Sequence, residues 1–526
     1  MQDKGKEKSK LVRTLSKVSA IFRGIVGKRR KLNQKMQGWY TPRRIGIYSV
    51  IAVCIIWILL LFLPPYLGVA DDGSLYKVMD RIGISYMVED SEYIYNNYFI
   101  KEYLIESSPS IVTRVENSQD LFIKGAIFID GLFTRDQYFD IRFLAFIYGI
   151  LFMPSIYVII KQACMRVSNF SEAIVIGILG VFIFGDISYL TYFSSLYPEA
   201  VWIICLMYCC GAIFKLQKRK GSFFSMLLFT LIGVVFSTSR QQCGIIGFLL
   251  AGFCIRAVFL NKNIPWRIYC VCMAFILSLT GMASLYTLES DFNVVSEYHS
   301  MTRGVLFQAA DPEKALKEFG INSSYSVLAN TSAYDYYPVV SNLSEQLYEG
   351  FYDKYTPYDI ALFYVKHPGA FINMMDLAVK GTSNLRRSFC GNYEKNYGMP
   401  KMAQSIFWSG WSIFKERSLP KTIGYLVVLL ICGFAFFGKR LRKNRLIKEN
   451  ENTPLMMEAI LIIAGIGISQ AAISIIMSGD AEFSQHAFLF GASMDLIVYF
   501  IMAELLGRLN ILQEGEVKSI GTESIK

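Results

Sequence analysis

Charge is scarce in this sequence. Only 18% of its 526 residues are Asp, Glu, Lys or Arg, against about a quarter in an ordinary soluble protein. Apolar residues make up 53% and the mean hydropathy is +0.36, so a soluble enzyme, a disordered scaffold and a fibrous repeat all fit poorly. Histidine is scarcer still: three in the whole chain argue against a His-based metal centre. Of the 11 cysteines, only Cys390 falls well inside a segment expected outside the membrane, so no disulfide framework is implied, and no Cys/His spacing resembles a zinc site. No period of 20–50 residues repeats, and no pair of interrupted helices stands in corresponding halves, which counts against a carrier. A phosphate-cradling Gly loop with a following Lys is absent, and Gly465 with Gly467 lacks the rest of a dinucleotide fingerprint. ATP or NAD use is unsupported.

Long apolar runs are what the chain has. Segments 45–63, 143–160, 173–190, 200–214, 223–236, 244–260, 268–288, 422–437, 455–477 and 487–505 approach the roughly 20 residues that cross a bilayer as a helix. The expected fold is an all-α polytopic membrane protein of about ten transmembrane helices. The net charge of +11 would suggest nucleic acid if it covered one soluble surface, but it is sorted by side. With a cytoplasmic N-terminus, the segments on that side hold 32 Lys and Arg against 7 Asp and Glu, and the opposite face holds 21 against 31. Glu172, Glu458, Asp495 and Glu504 fall within or at the ends of spans. The positive-inside rule then puts both termini in the cytoplasm of a multi-pass cell-membrane protein.

The layout follows. Residues 1–44 carry 14 basic groups against Asp3 and Glu7, and should sit against anionic headgroups, with the bilayer rather than nucleic acid as partner. Residues 45–63 form an uncleaved anchor. Then come an outer loop at 64–142, spans 2–7 within 143–288, a large outer-face segment at 289–421, spans 8–10 within 422–505, and a cytoplasmic tail at 506–526. The outer segments, 79 and 133 residues long, should carry secondary structure and the function. The Tyr- and Ile-rich stretch 91–106 suggests an amphipathic helix along the membrane interface. Residues 311–319 suggest a helix with Pro near its start.

The candidate site residues lie near expected membrane boundaries. After the first span, LPPYLGVADDGSLYKVMDR at 63–81 puts Asp71 and Asp72 just above the bilayer. Two adjacent carboxylates can divide labour, one taking a hydroxyl proton and the other holding a cation; the plainer reading is a turn in which Asp72 caps a helix. Asp186 interrupts an apolar run and needs either a cavity, a partner or the headgroup layer. Glu199, within SSLYPEAVW, either joins the site or caps the fourth span. Arg240 is the only basic residue of the turn STSRQQ, and its planar fork suits phosphate; a salt bridge to Asp186 or Glu199 is the alternative. Lys366 and His367, in FYVKHPGAF, form a second positive candidate. Asp480, Glu482 and His486 occupy the last outer turn, where His486 is able to orient a polar ligand. Tyr-rich stretches such as YDYYPVV at 334–340 can stack on sugar rings or serve as core aromatics.

With those residues in place, the chain resembles the GT-C superfamily of integral-membrane glycosyltransferases, through its layout and its PPYLGVADDGSLYKVMDR opening. It departs from the commoner Asp-Glu order by having Asp71-Asp72. The resemblance implies a sugar carried on polyprenyl phosphate and transferred, with inversion, at the outer face to a lipid or cell-envelope glycan. Asp71 or Asp72 would be the base, and Arg240, with Lys366 and His367, would hold the phosphate. A pyrophosphate donor would call for a divalent cation, Mg or Mn, whereas a monophosphate would not. Two rivals remain: an O-antigen-type glycan polymerase or ligase, which would rely on Arg and His, and a lipid-linked glycan flippase or transporter, which would need polar groups deep in several helices.

Overall fold

The computed structural model describes residues 27–87, 97–106, 115–167, 169–218, 221–287, 294–335, 344–438, 456–481, 483 and 487–523, without the side chains of 217, 218, 346 and 509–523. The protein is mostly helical, and seven helices are long and apolar enough to cross a membrane: Pro42–Leu61, Arg142–Cys164, Glu199–Leu216, Gln241–Leu260, Ile264–Tyr286, Met456–Ser478 and Phe488–Arg508. Two bent pairs raise the number to as many as nine. Phe170–Phe184 with Ile187–Ser194 turns by 49°, and Gly410–Ser418 with Ile423–Phe437 by 111°. The remaining apolar segment, Phe223–Ser237, is a helix of 15 residues. Among the described residues all ten expected spans are therefore helical, but 173–190 is broken at Gly185-Asp186, 223–236 is short, and 422–437 is preceded by a sharply bent helix, Gly410–Ser418, that falls in the expected outer segment.

Local chemistry sets the helix ends. Thr41 Oγ1 accepts from Arg44 N–H at 3.2 Å and Pro42 occupies the first turn of the first span, where its missing N–H costs nothing. Close packing needs small residues: a Cβ on Gly149 would lie 2.2 Å from the Trp57 ring. The helix expected at 311–319 is present as Pro312–Glu318, capped by Asp311.

The first long connection holds structure the sequence did not announce. Strand β1 (Leu67–Val69) follows the first span; β2 (Ile84–Ser85), β3 (Glu102–Ile105) and β4 (Tyr138–Asp140) form an antiparallel sheet in the order β2-β3-β4. Strand β5 (Cys390–Tyr393) pairs antiparallel with β1, Leu67 opposite Tyr393. The expectation of a helix at 91–106 is corrected here: 97–106 contains β3, whose Tyr103 points into the core beside half-buried neighbours, and 91–96 lie outside the described residues. The amphipathic helix is instead Ser118–Phe133. It buries Gln119, Asp120, Ile123, Ala126 and Asp130 and exposes Leu121, Phe128, Leu132 and Phe133.

Candidate functional site

The acid pair is held by its own backbone. Asp71 Oδ1 accepts from Gly73 N–H at 2.7 Å and Leu75 N–H at 3.4 Å, while Asp72 Oδ1 accepts from Ser74 N–H at 2.9 Å. The next helix starts only at Tyr76 and its N-cap is Leu75, so Asp72 is not a helix cap. Asp71 is buried and its Oδ2 has no hydrogen-bond partner. Burial, helped by the adjacent Asp72 charge and opposed by the Gly73 and Leu75 N–H groups, pushes its carboxyl up to about 6.

Asp72 faces the turn between the broken third span and the fourth. Tyr197 Oη donates to Asp72 Oδ1 at 2.7 Å and accepts from Asp72 N–H at 3.0 Å. Burial and then the charges of Asp72 and Asp71 hold the Tyr197 phenol well above its ordinary value, so it remains a donor. Two residues on, Glu199 opens the fourth span with its side chain buried. Its Oε1 lies 3.6 Å from Arg387 Nη1, and Arg240 and Asp72 lie within its electrostatic reach. Glu199 Oε2 and both Arg387 terminal nitrogens are buried without hydrogen-bond partners.

Strand pairing delivers Arg387. Beyond the β1–β5 register, Ala70 N–H donates to Phe389 O at 2.9 Å, which sets the residues before Cys390 against Asp71. The Arg387 guanidinium packs 5.3 Å from the Phe389 ring centroid and 5.9 Å from that of Tyr192. Gly68 permits the pairing, because a Cβ there would stand 2.1 Å from the Phe99 ring.

A cavity of about 1060 Å³ opens beside this cluster, lined by Ser74, Arg81, Gln119, Tyr197, Ser239 and Arg240 among others. Its wall is built from three segments. Arg81 grips Asp120 with two bonds of 2.9 Å; Gln119 Nε2 donates to Leu196 O at 2.6 Å; Ser118 N–H donates to Thr238 O at 3.0 Å. Trp202 Nε1 donates to Ser239 Oγ at 3.0 Å and Gln470 Nε2 to Gln242 O at 3.1 Å, so the turn that carries Arg240 is anchored from both sides.

The structure thus gathers Asp71, Asp72, Glu199 and Arg240, and engages Asp186, His367 and Asp480 with other partners. Asp186 is engaged as a cap: its Oδ1 accepts from Ser188 N–H and Oγ–H, its Oδ2 from Ser412 N–H. His367 Nε2 contacts both Glu318 carboxylate oxygens at 3.1 Å, and Lys366 is exposed beside it. Asp480 pairs with Arg303 at 2.8 Å. Glu482 and His486 lie outside the described residues, as do 336–340 of the YDYYPVV stretch. Sequence reasoning missed Tyr197 and Arg387. The signal for Arg387 was available: two adjacent arginines in a segment where the sign rule disfavours them, the argument already used for Arg240. Among the described residues no three His, Cys, Asp or Glu side chains converge as metal ligands.

No curated protein and no solved structure matches the chain. A family model described as "YfdI N-terminal transmembrane domain" matches residues 29–522, from within the basic N-terminal segment to the last helix. With its membrane-spanning helices and this near-complete match, the chain belongs to the YfdI N-terminal transmembrane domain family.

Proposed function

We propose that the protein is a membrane glycosyltransferase of GT-C type, moving a sugar from a polyprenyl-phosphate carrier to a hydroxyl of a lipid or envelope glycan at the outer face, with both termini in the cytoplasm. The sidedness is supported by the Lys and Arg asymmetry of the loops. The observation that supports the chemistry is the convergence on Glu199 of the buried Arg387 at 3.6 Å and of Asp72 and Arg240 within its electrostatic reach, beside one large cavity.

In this reading Asp72, oriented by Tyr197, or Asp71, with its free Oδ2, takes the proton of the acceptor hydroxyl. The hydroxyl oxygen bonds to the anomeric carbon from the face opposite the donor phosphate. The bond between that carbon and the phosphate oxygen breaks, and the electron pair leaves with the lipid phosphate. Arg240 and Arg387 stabilise the charge that builds on it, because preorganised guanidinium groups in a poorly solvated site act strongly on developing phosphate charge. Glu199 keeps the two arginines from repelling each other before the donor arrives. The test is transfer in membrane vesicles carrying Asp71→Asn, Asp72→Asn, Arg240→Ala or Arg387→Gln. Each variant should remain in the membrane; loss of sugar transfer to envelope glycan is expected, and full activity in all four would refute the assignment.

A further inference from the structure

A second crevice, of about 380 Å³, shares no lining residue with the Arg240 cavity. Phe62 at the end of the first span, Ile129 and Phe133 of the helix Ser118–Phe133, and Phe143 and Phe146 of the span Arg142–Cys164 form its walls; only Asp140 and Arg142 are polar. Phe133 is 77% exposed and its ring stacks on that of Phe143 at 6.1 Å. The apolar surface continues onto the exposed Phe128 and Leu132 of the same helix. Such a lining, exposed at the ends of two spans, suits an acyl chain.

Asp140 and Arg142 at its edge adjoin a smaller cavity of about 260 Å³ that Lys101, Glu102, Glu394 and Lys395 help to line, and the charges there are of both signs. Arg142 Nε donates to Asp140 Oδ1 at 3.0 Å and Oδ2 at 2.9 Å, and its guanidinium sits 4.8 Å from the centroid of the Tyr66 ring. Lys101 Nζ lies 5.4 Å from the same ring and pairs with Glu102 at 2.8 Å. Glu394 stands within electrostatic reach of both cations. With Lys395 beside Glu394, three cations stand among three acids, and such a balanced cluster does not favour a phosphate monoester, which brings only negative charge. A headgroup carrying a phosphate and an ammonium a few bonds apart meets a partner for each.

We propose that this crevice seats an acyl chain of one zwitterionic phospholipid, with the phosphate toward Arg142 and Lys101 and the ammonium toward Asp140, Glu102 and Glu394. The site is independent of the proposed transfer reaction. Its bound lipid ties the first span and the span Arg142–Cys164 to the helix whose other end, through Ser118 N–H on Thr238 O at 3.0 Å, holds the turn of Arg240.

The test is native mass spectrometry of the full chain extracted in mild detergent and exchanged against phosphatidylethanolamine or phosphatidylglycerol. Wild type should retain one phosphatidylethanolamine with about tenfold preference over phosphatidylglycerol. Ile129→Trp and Phe146→Trp, which fill the crevice, should lose the lipid while eluting as a monodisperse species. Lys101→Gln/Arg142→Gln should lose the preference. Absence of retained lipid, equal retention by both Trp variants, equal or better binding of phosphatidylglycerol, or retention of a polyprenyl phosphate instead would each overturn the proposal.

Discussion

The phenol of Tyr197 and the carboxylate of Asp72 are joined twice, Oη donating to Oδ1 at 2.7 Å and accepting from the Asp72 backbone N–H at 3.0 Å. A side chain from the entry to the fourth span therefore orients the acid that follows the first. Tyr197→Phe removes both bonds and keeps the ring. At about 1 kcal/mol per net hydrogen bond, sugar transfer should fall by roughly five- to thirtyfold with the protein still folded, measured as the initial rate in membrane vesicles.

Arg387 and Glu199 form a buried pair, and breaking one side of such a pair leaves the other charge unpaired. Arg387→Gln should lower stability by about 3–5 kcal/mol. Glu199→Gln in the same chain should recover much of that loss without restoring transfer. Thermal unfolding in detergent, compared across the two single variants and the double variant, measures the coupling.

Asp71 gives a pH dependence of definite sign. Its carboxyl is raised from 3.8 to about 6 in the folded protein, so the native state binds the proton more tightly than the unfolded state. Its stabilising contribution is complete below the unfolded value and is lost as pH rises toward the folded one. Stability should fall from about pH 4 to about pH 6 through this group, and Asp71→Asn should flatten that slope in unfolding experiments. If Asp71 is the base, transfer moves the opposite way, dropping as pH falls below about 6 because the base must be ionised.

Asp186 separates a capping role from a catalytic one. Asp186→Asn keeps one acceptor oxygen for the Ser188 N–H and Oγ–H while its amide NH2 cannot accept from Ser412 N–H, so it should lose that one bond and still preserve most transfer activity. Asp186→Ala removes the cap and should cost about 1–2 kcal/mol in thermal unfolding. A complete loss of transfer in the Asn variant, with normal unfolding, would restore Asp186 to the site.

Deeper in the bundle, Asp495 accepts from Lys415 Nζ at 2.7 Å, Tyr189 Oη at 2.6 Å and Trp411 Nε1 at 2.7 Å. Lys415→Met alone should destabilise by about 3–5 kcal/mol and expose the segment around Gly410–Ser418 to protease. Adding Asp495→Asn should reverse much of the thermal destabilisation, because it removes the unpaired charge and keeps an acceptor oxygen for Tyr189 and Trp411. Limited proteolysis and thermal unfolding of the same preparations check both parts.

The spans were legible because a bilayer imposes one strong, local requirement: a long apolar run. The breaks at Gly185-Asp186 and at 419–422 were not, since composition does not reveal that Asp186 will reach across to Ser412. Within the site, Asp71, Asp72, Glu199 and Arg240 stood out because each is a charge close to an expected membrane boundary. Arg387 escaped, as its place depends on a strand pairing between residues more than half the chain apart. Lys366, His367 and Asp480 had the same outward appearance but are engaged by Glu318 and Arg303, partners that no spacing rule identifies.

The pairing of β1 with β5 also has a biosynthetic consequence. A nascent chain displays its acid pair early, yet the strand that lays Arg387 beside it emerges only after most helices have already been inserted. Contacts of such long range close last and set the pace of maturation. Any product terminated before Arg387 would carry Glu199 and the acid pair without their buried counter-charge, so a ribosome that stops short leaves a membrane passenger whose cluster is never completed.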